Sequence, residues 1–238
     1  MPLLHSHYVQ QTFRGIATGL LTIRGIETEP KVTEAVDAMT SPALHRLETE
    51  GALPRIRSWR RAYSTMALKP TRSRFATKAL LRRVRPEGTR PSLLPLFDPF
   101  NVAMAAYDLY VSVCDFEHIA EDLTVHRSMV RNVYLTVTGD VEAPDLSEVI
   151  FADEAGNAHA RRLPNRQSRQ SAVSPETTQE LSVIEPLHHG SGANVQRIVE
   201  GLARKISDTV GPTASSEFLT SVIAALLTRK DLGNDHVD

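Results

Sequence analysis

Twelve lysines or arginines and one acid, Glu87, fall between Arg55 and Arg90, in a chain of 238 residues whose formal net charge is only −1. Exposed charges act over about 10 Å at ordinary ionic strength, so a concentrated basic segment can hold a polyanion that the neutral average conceals. A phosphate backbone is the natural partner. A second group, Arg161-Arg162-Leu163-Pro164-Asn165-Arg166-Gln167-Ser168-Arg169, combines cations with amides and a hydroxyl that can bond phosphate or ribose. The second group is polar chemistry without an activated nucleophile. The chain lacks a phosphate-binding glycine loop, a Gly-x-Ser-x-Gly elbow and a His-Glu-x-x-His helix. Its histidines include the pairs His5 with His7 and His188 with His189, which have no partners at ligand spacing, so no metal and no cofactor is expected. The single cysteine, Cys114, excludes an internal disulfide and reads as a small buried residue between Val113 and Phe116.

The elements that must position these residues follow from apolar spacing. Gly19 to Ile23 is a continuous apolar run and predicts a buried strand. Helices are expected over Thr33–Met39, from Ser41-Pro42, and between Pro54 and Pro70. In the last of these Ile56, Trp59, Tyr63 and Met66 form one side and Arg57, Arg60 and Arg61 the other. Ser73 to Val84 repeats the arrangement, with Arg74, Lys78, Arg82 and Arg83 largely outward, and Asp98-Pro99 starts a further helix. Beyond about residue 120 the pattern turns to strands: Leu123–Val125, Tyr134–Val137, Val149–Ala152, a hairpin through Asp153 to Asn157 into Ala158–Leu163, and Leu181–Ile184. Asn165 to Gln179 reads as a long loop. A helix is expected at Val195–Ile206, and another capped by Ser215 or Ser216 and ending near Arg229.

Composition sets broad limits. At 41% hydrophobic and 23% charged, the chain can bury a core as one large domain or two small ones. The apolar stretch from Gly15 to Ile26 is interrupted by Arg24 and too short to span a bilayer, so a soluble, cytoplasmic protein with no membrane partner is expected.

Several blocks together resemble the B3/B4 domain of the bacterial phenylalanyl-tRNA synthetase β subunit, and more closely its free-standing relatives. They are Arg161-Arg162 with Asn165-Arg166-Gln167-Ser168, then Val173-Ser174-Pro175-Glu176-Thr177-Thr178, Ile56-Arg57-Ser58-Trp59-Arg60 with Tyr63, Leu68-Lys69-Pro70, Leu80 to Val84, and Leu96-Phe97-Asp98 to Asn101. The resemblance spans roughly Gly15 to Leu187. It implies an α+β fold with a mixed sheet and a small barrel-like part flanked by helices, over residues 1–187, with residues 188–238 forming C-terminal helices and a frayed tail. It also implies an aminoacyl-tRNA as partner, no DNA, and hydrolysis of the ester between a wrong amino acid and the terminal ribose. By position, Asn101 and Glu185 match an asparagine and a glutamate of the synthetase editing pocket, and Ser112 stands where that pocket carries a histidine. These three are the expected catalytic residues. The expected tRNA contacts are Arg57, Arg60, Arg61, Lys69, Arg72, Arg74, Lys78, Arg82, Arg83, Arg161, Arg162, Asn165, Arg166, Gln167 and Ser168.

Other readings of the same residues stand beside these. Asn101 is also a fitting helix-start residue, Glu185 a fitting surface acid before Pro186, Ser112 a structural hydroxyl, and the basic run a solvated face. Two further functions are compatible with the residues: a tRNA-binding module without catalysis, and a binder of small amino acids that has no use for RNA.

Overall fold

A computed structural model describes residues 3–13, 16, 18–26, 61–68, 110–163, 166–185, 199–201, 203–204 and 215–219. Within them the chain is α+β, with eleven strands in three sheets. The strands are β1 (Leu3–His5), β2 (Gly19–Arg24), β3 (Tyr110–Asp115), β4 (Leu123–Arg127), β5 (Tyr134–Leu135), β6 (Val141–Glu142), β7 (Val149–Ala152), β8 (Ala158–Arg161), β9 (Arg166–Gln167), β10 (Gln179–Glu185) and β11 (Ser215–Leu219). One helix, α1 (His7–Thr12), follows β1, with the Ser6 hydroxyl accepting from the Val9 N–H at 3.4 Å. No helix among the described residues is long and apolar enough to cross a membrane.

The four-stranded sheet runs β11-β2-β10-β3, with every pairing antiparallel. Its middle strands are hydrophobic on both faces because both faces are covered: Leu20, Leu21 and Ile23 of β2 and all of β10 from Glu180 to Glu185 are buried. The five-stranded sheet runs β1-β4-β7-β8-β9, and only its β1–β4 pairing is parallel. It is an open sheet, not a closed barrel, among the described residues. β5 and β6 form a small ribbon of their own.

The two larger sheets meet face to face. Leu20, Leu181 and Val183 from one pack in a single cluster with Leu3, Leu123, Val125, Val149, Phe151 and Ala160 from the other, closed at the side by Val9, Phe13, Tyr63 and Met66. Tyr63 and Met66 are buried while Arg61 is exposed, in keeping with the expected faces, and Ile56, Arg57, Trp59 and Arg60 lie outside the described residues. Because side chains alternate along a strand, Glu185 shares the inner face with Val183 and Leu181, and Glu180, Ser182 and Ile184 take the outer one.

The hairpin from β7 to β8 turns through Asp153 to Asn157 as expected, with Asp153 N–H bonded to the Asn157 carbonyl at 3.1 Å and Gly156 at φ +90°. Three expectations are revised. Tyr134–Val137 is a strand for only two residues, because Thr136 folds back on Asp140 in a turn whose Gly139 has φ +95°. The expected loop over Asn165–Gln179 contains β9 and a 3-10 turn at Arg169–Ser171 capped by Ser168. Most clearly, Ser215–Leu219 is a strand and not the start of a helix. Phe218 and Leu219 stand opposite Leu21 and Leu20, so pairing satisfies backbone groups on an edge of β2 that would otherwise be open. The helices expected over 33–39, from 41, over 73–84 and from 98 lie outside the described residues.

Phe151 is 1% exposed at the centre of the shared core. Phe151→Ala is expected to cost about 3–5 kcal/mol, read as a lower urea midpoint with an unchanged slope.

Candidate functional site

Glu185 ends β10 on the face that looks into the sandwich, and it is fully buried. Its carboxylate meets two side chains that the sequence places far away. His5, at the end of β1 in the opposite sheet, brings Nε2 to 3.1 Å from Oε1 of Glu185 across 180 residues of chain. Thr18, immediately before β2, donates its hydroxyl to the same Oε1 at 3.2 Å and also lies 3.2 Å from His5 Nε2. The other carboxylate oxygen, Oε2, is buried and has no hydrogen-bond partner. A buried polar atom without a partner is costly and calls for an explanation, as it does at Glu180 Oε2 and His159 Nδ1. Glu185 is therefore an interior acid and not a surface one.

Ser112 lies on the same inner face. It pairs with Val183, two residues before Glu185, while Tyr110 pairs with Glu185 itself. Diagonal cross-strand neighbours of this kind stand about 7–8 Å apart. The Ser112 hydroxyl is 3.8 Å from the sulfur of Cys114, and both are buried. Burial pushes the Cys114 thiol up to about 11, against the pull of bonds from Ser171 and Ser112, which makes it a packed residue and not a nucleophile. Asn101 lies outside the described residues, as do Arg57, Arg60, Lys69, Arg72, Arg74, Lys78, Arg82, Arg83 and Asn165.

The second basic group divides sharply. Arg161 is buried, and its guanidinium bonds Glu148 at 2.7 and 3.0 Å and Glu142 at 2.6 Å. Burial alone would weaken that charge, but the two acids more than offset it and hold the pKa above its ordinary value. Arg162 donates to the same Glu148 at 2.7 Å, from a left-handed backbone with φ 60°. Gln167 crosses from β9 to the opposite sheet, donating to the Val113 carbonyl and to that of Ser171, the latter at 3.4 Å. Ser168 donates to the Leu135 carbonyl at 3.1 Å and caps the following turn. Arg166 and Arg61 remain exposed. Sequence reasoning treated the group as one basic loop; the acids that occupy Arg161 and Arg162 become visible only through the β7–β8–β9 register.

The B3/4 domain model matches residues 58–189, more than half of the chain. The chain belongs to the B3/4 domain family. Glu185 and Ser112 fall inside that match, while His5 and Thr18 lie outside it. Among solved structures, an N-terminal fragment of the phenylalanyl-tRNA synthetase beta-subunit from Pyrococcus horikoshii is similar at 7% identity and a TM-score of 0.45, over 85% of this chain and 48% of that one. The chain thus spans about half the length of that fragment. No curated protein matches the sequence.

His5 and Thr18 are the site residues that sequence reasoning missed. His5 was considered only together with His7, whose own ring lies 2.6 Å from Gln11. No local spacing could pair His5 with an acid in another sheet.

On the outer face of β10 a second acid is sealed. Burial raises the Glu180 carboxyl from 4.5 to about 8, partly countered by the Ser182 hydroxyl at 2.5 Å. Folding therefore retains a proton that the unfolded chain has released, and stability should fall as pH rises from about 4.5 through about 8. Glu180→Gln should remove that slope and exceed the wild type in stability above about pH 8, measured by urea unfolding across the range. Glu148→Ala, which leaves the buried Arg161 only the half-exposed Glu142 as an acid partner, is expected to cost up to about 3–5 kcal/mol in the same assay.

Proposed function

We propose that this B3/4 domain protein handles aminoacyl-tRNA and removes wrongly attached amino acids by hydrolysing their ester to the terminal ribose, working in trans in the cytoplasm. The observation that carries the reading is the free, buried Oε2 of Glu185 on the inner face it shares with Ser112. A primary ammonium supplies both the charge and the N–H donors that such an oxygen lacks. Every aminoacyl ester carries one next to its carbonyl. Ser112 supplies a small polar contact to the bound group, and Asn101 is proposed to support the carbonyl oxygen as it becomes an oxyanion. An activated ester requires little more than a positioned water and a pocket selective for the wrong side chain, so no covalent nucleophile is required.

The tRNA body would be held by exposed cations: Arg61 and Arg166 among the described residues, with Arg57, Arg60, Lys69, Arg72, Arg74, Lys78, Arg82, Arg83 and Asn165 as further proposed contacts. Arg161, Arg162, Gln167 and Ser168 would act at one remove, by fixing the loop that carries Arg166. A second reading, a binder of free amino acids, draws support from this same neutralisation of Arg161 and Arg162 by Glu148 and Glu142.

Release of amino acid from a panel of mischarged tRNAs tests the proposal. The expected outcome is release well above spontaneous decay for one amino acid, slowed about 100-fold in Glu185→Gln with tRNA binding retained. Arg82→Ala with Arg83→Ala should instead weaken tRNA binding and flatten its salt dependence by about two phosphate contacts' worth, at a slope near −0.7 to −0.9 each. Binding that ignores salt would favour the amino-acid binder, and binding without release would reject the enzyme.

A further inference from the structure

We infer that His5, carried on the N-terminal strand outside the B3/4 match, is the proton acceptor for the attacking water at this site. The inference rests on the deacylase reading. The geometry divides the work between the two oxygens of Glu185. Oε1 takes the Thr18 hydroxyl and the His5 ring, and Oε2 is left for the ligand. A carboxylate oxygen at 3.1 Å from Nε2 assigns the proton to that nitrogen, because two lone pairs facing each other would repel. The lone pair then sits on Nδ1, the ring's other nitrogen, and no bond to Nδ1 is present among the described residues. This is the arrangement of an acid orienting an imidazole base.

Two other acid–imidazole pairs occur among the described residues. His118 lies 3.3 Å from Asp115 across a single 3-10 turn, and both Asp115 oxygens already accept other bonds, from the Thr177 hydroxyl and the Glu117 N–H. His159 lies 3.1 Å from Asp153, but both side chains are 0% exposed, and that pair can only be structural. His5 is 11% exposed while its Glu185 partner is 0% exposed, so the side chain keeps some contact with solvent where its acid has none. An ammonium on Glu185 Oε2 is two covalent bonds from the ester carbonyl carbon, which brings that carbon to the neighbourhood of the ring. His5 Nδ1 takes a proton from water as the water oxygen bonds to the carbonyl carbon. The bond from that carbon to the ribose oxygen then breaks, and the ribose oxygen leaves with the proton held on Nδ1. The products are a free amino acid, a ribose hydroxyl and a neutral imidazole.

His5→Gln tests this in the full chain, because it keeps an N–H donor for Glu185 Oε1 but offers no lone pair able to take a proton. On the mischarged tRNA that the wild type deacylates, kcat should fall about 100-fold or more while KM stays within about twofold. His5→Ala should lose the same activity and regain part of it with added imidazole, and His5→Gln should not respond. Nitrogen-15 NMR of the wild type should show the His5 proton on Nε2, a signature that keeps the idea testable if either variant fails to fold. A His5→Gln enzyme within about threefold of wild type overturns the inference and leaves the deacylase reading standing, as does a proton found on Nδ1 with Nε2 bare. A wild type that releases nothing from any charged tRNA overturns the deacylase reading and the proton role with it.

Discussion

The burial of both faces of β10 is the constraint on which the rest of the molecule depends. This strand pairs with β2 on one side and β3 on the other, and its inner face meets the five-stranded sheet across a shared apolar core. A strand in that position has no solvated face, so its three polar residues after Gln179 had to be accommodated indoors. Each is accommodated differently. Ser182 bonds Glu180, Glu180 meets the cost of burial by keeping its proton, and Glu185 gains a histidine and a threonine from other elements. Sheet pairing costs nothing in specificity here, because a slip of one residue would carry Leu181 and Val183 out of the core and Glu180 into it.

Charge follows the same logic in the second sheet. Arg161 ends β8 pointing at Glu148 and Glu142, and its guanidinium lies 5.2 Å over the ring of Tyr134. Tyr134 in turn donates its hydroxyl to the Gln167 carbonyl at 2.7 Å. The result is a polar seam that ties β5, β6, β8 and β9 together around one buried acid. A cation enclosed in this way is a structural part, and the cation beside it, Arg166, stays outside. Two arginines five positions apart thus have different physical roles although their side chains are chemically identical.

The buried Asp153–His159 pair sharpens the contrast between structure and site. Asp153 caps the β7–β8 hairpin: burial tends to raise its carboxyl, but bonds from the Asn157 side chain and backbone, His159 and the Ala120 N–H outweigh that and hold it below the ordinary range. Its imidazole partner is held neutral chiefly by burial, with Asp153 acting against the shift. Apart from the Ala120 N–H, the bonds to that acid come from its own hairpin. The Glu185 pair joins opposite sheets, and its unpartnered buried atom is an oxygen of the acid, whereas in the Asp153 pair it is Nδ1 of His159.

Many of the strands were legible in the sequence, because short apolar and β-branched runs report a buried, pleated surface without knowledge of the partner; β2, β4, β7, β8 and β10 appear where that pattern places them. The buried Cys114 and the inward Tyr63 and Met66 were legible for the same reason, a period that burial imposes locally. β1, β3 and β11 were not, since Leu3–His5 is too short to show a period and Ser215–Leu219 is extended only because β2 offers an edge. Glu185 could be singled out as an acid ending a strand, and Ser112 by its place in the family pattern. Only the tertiary structure decided that Glu185 faces inward, that His5 and Thr18 complete it, and that Arg161 serves Glu148 before any phosphate. Local periodicity follows from each residue's immediate neighbours, whereas a hydrogen bond across 180 residues exists only once two sheets have closed on each other.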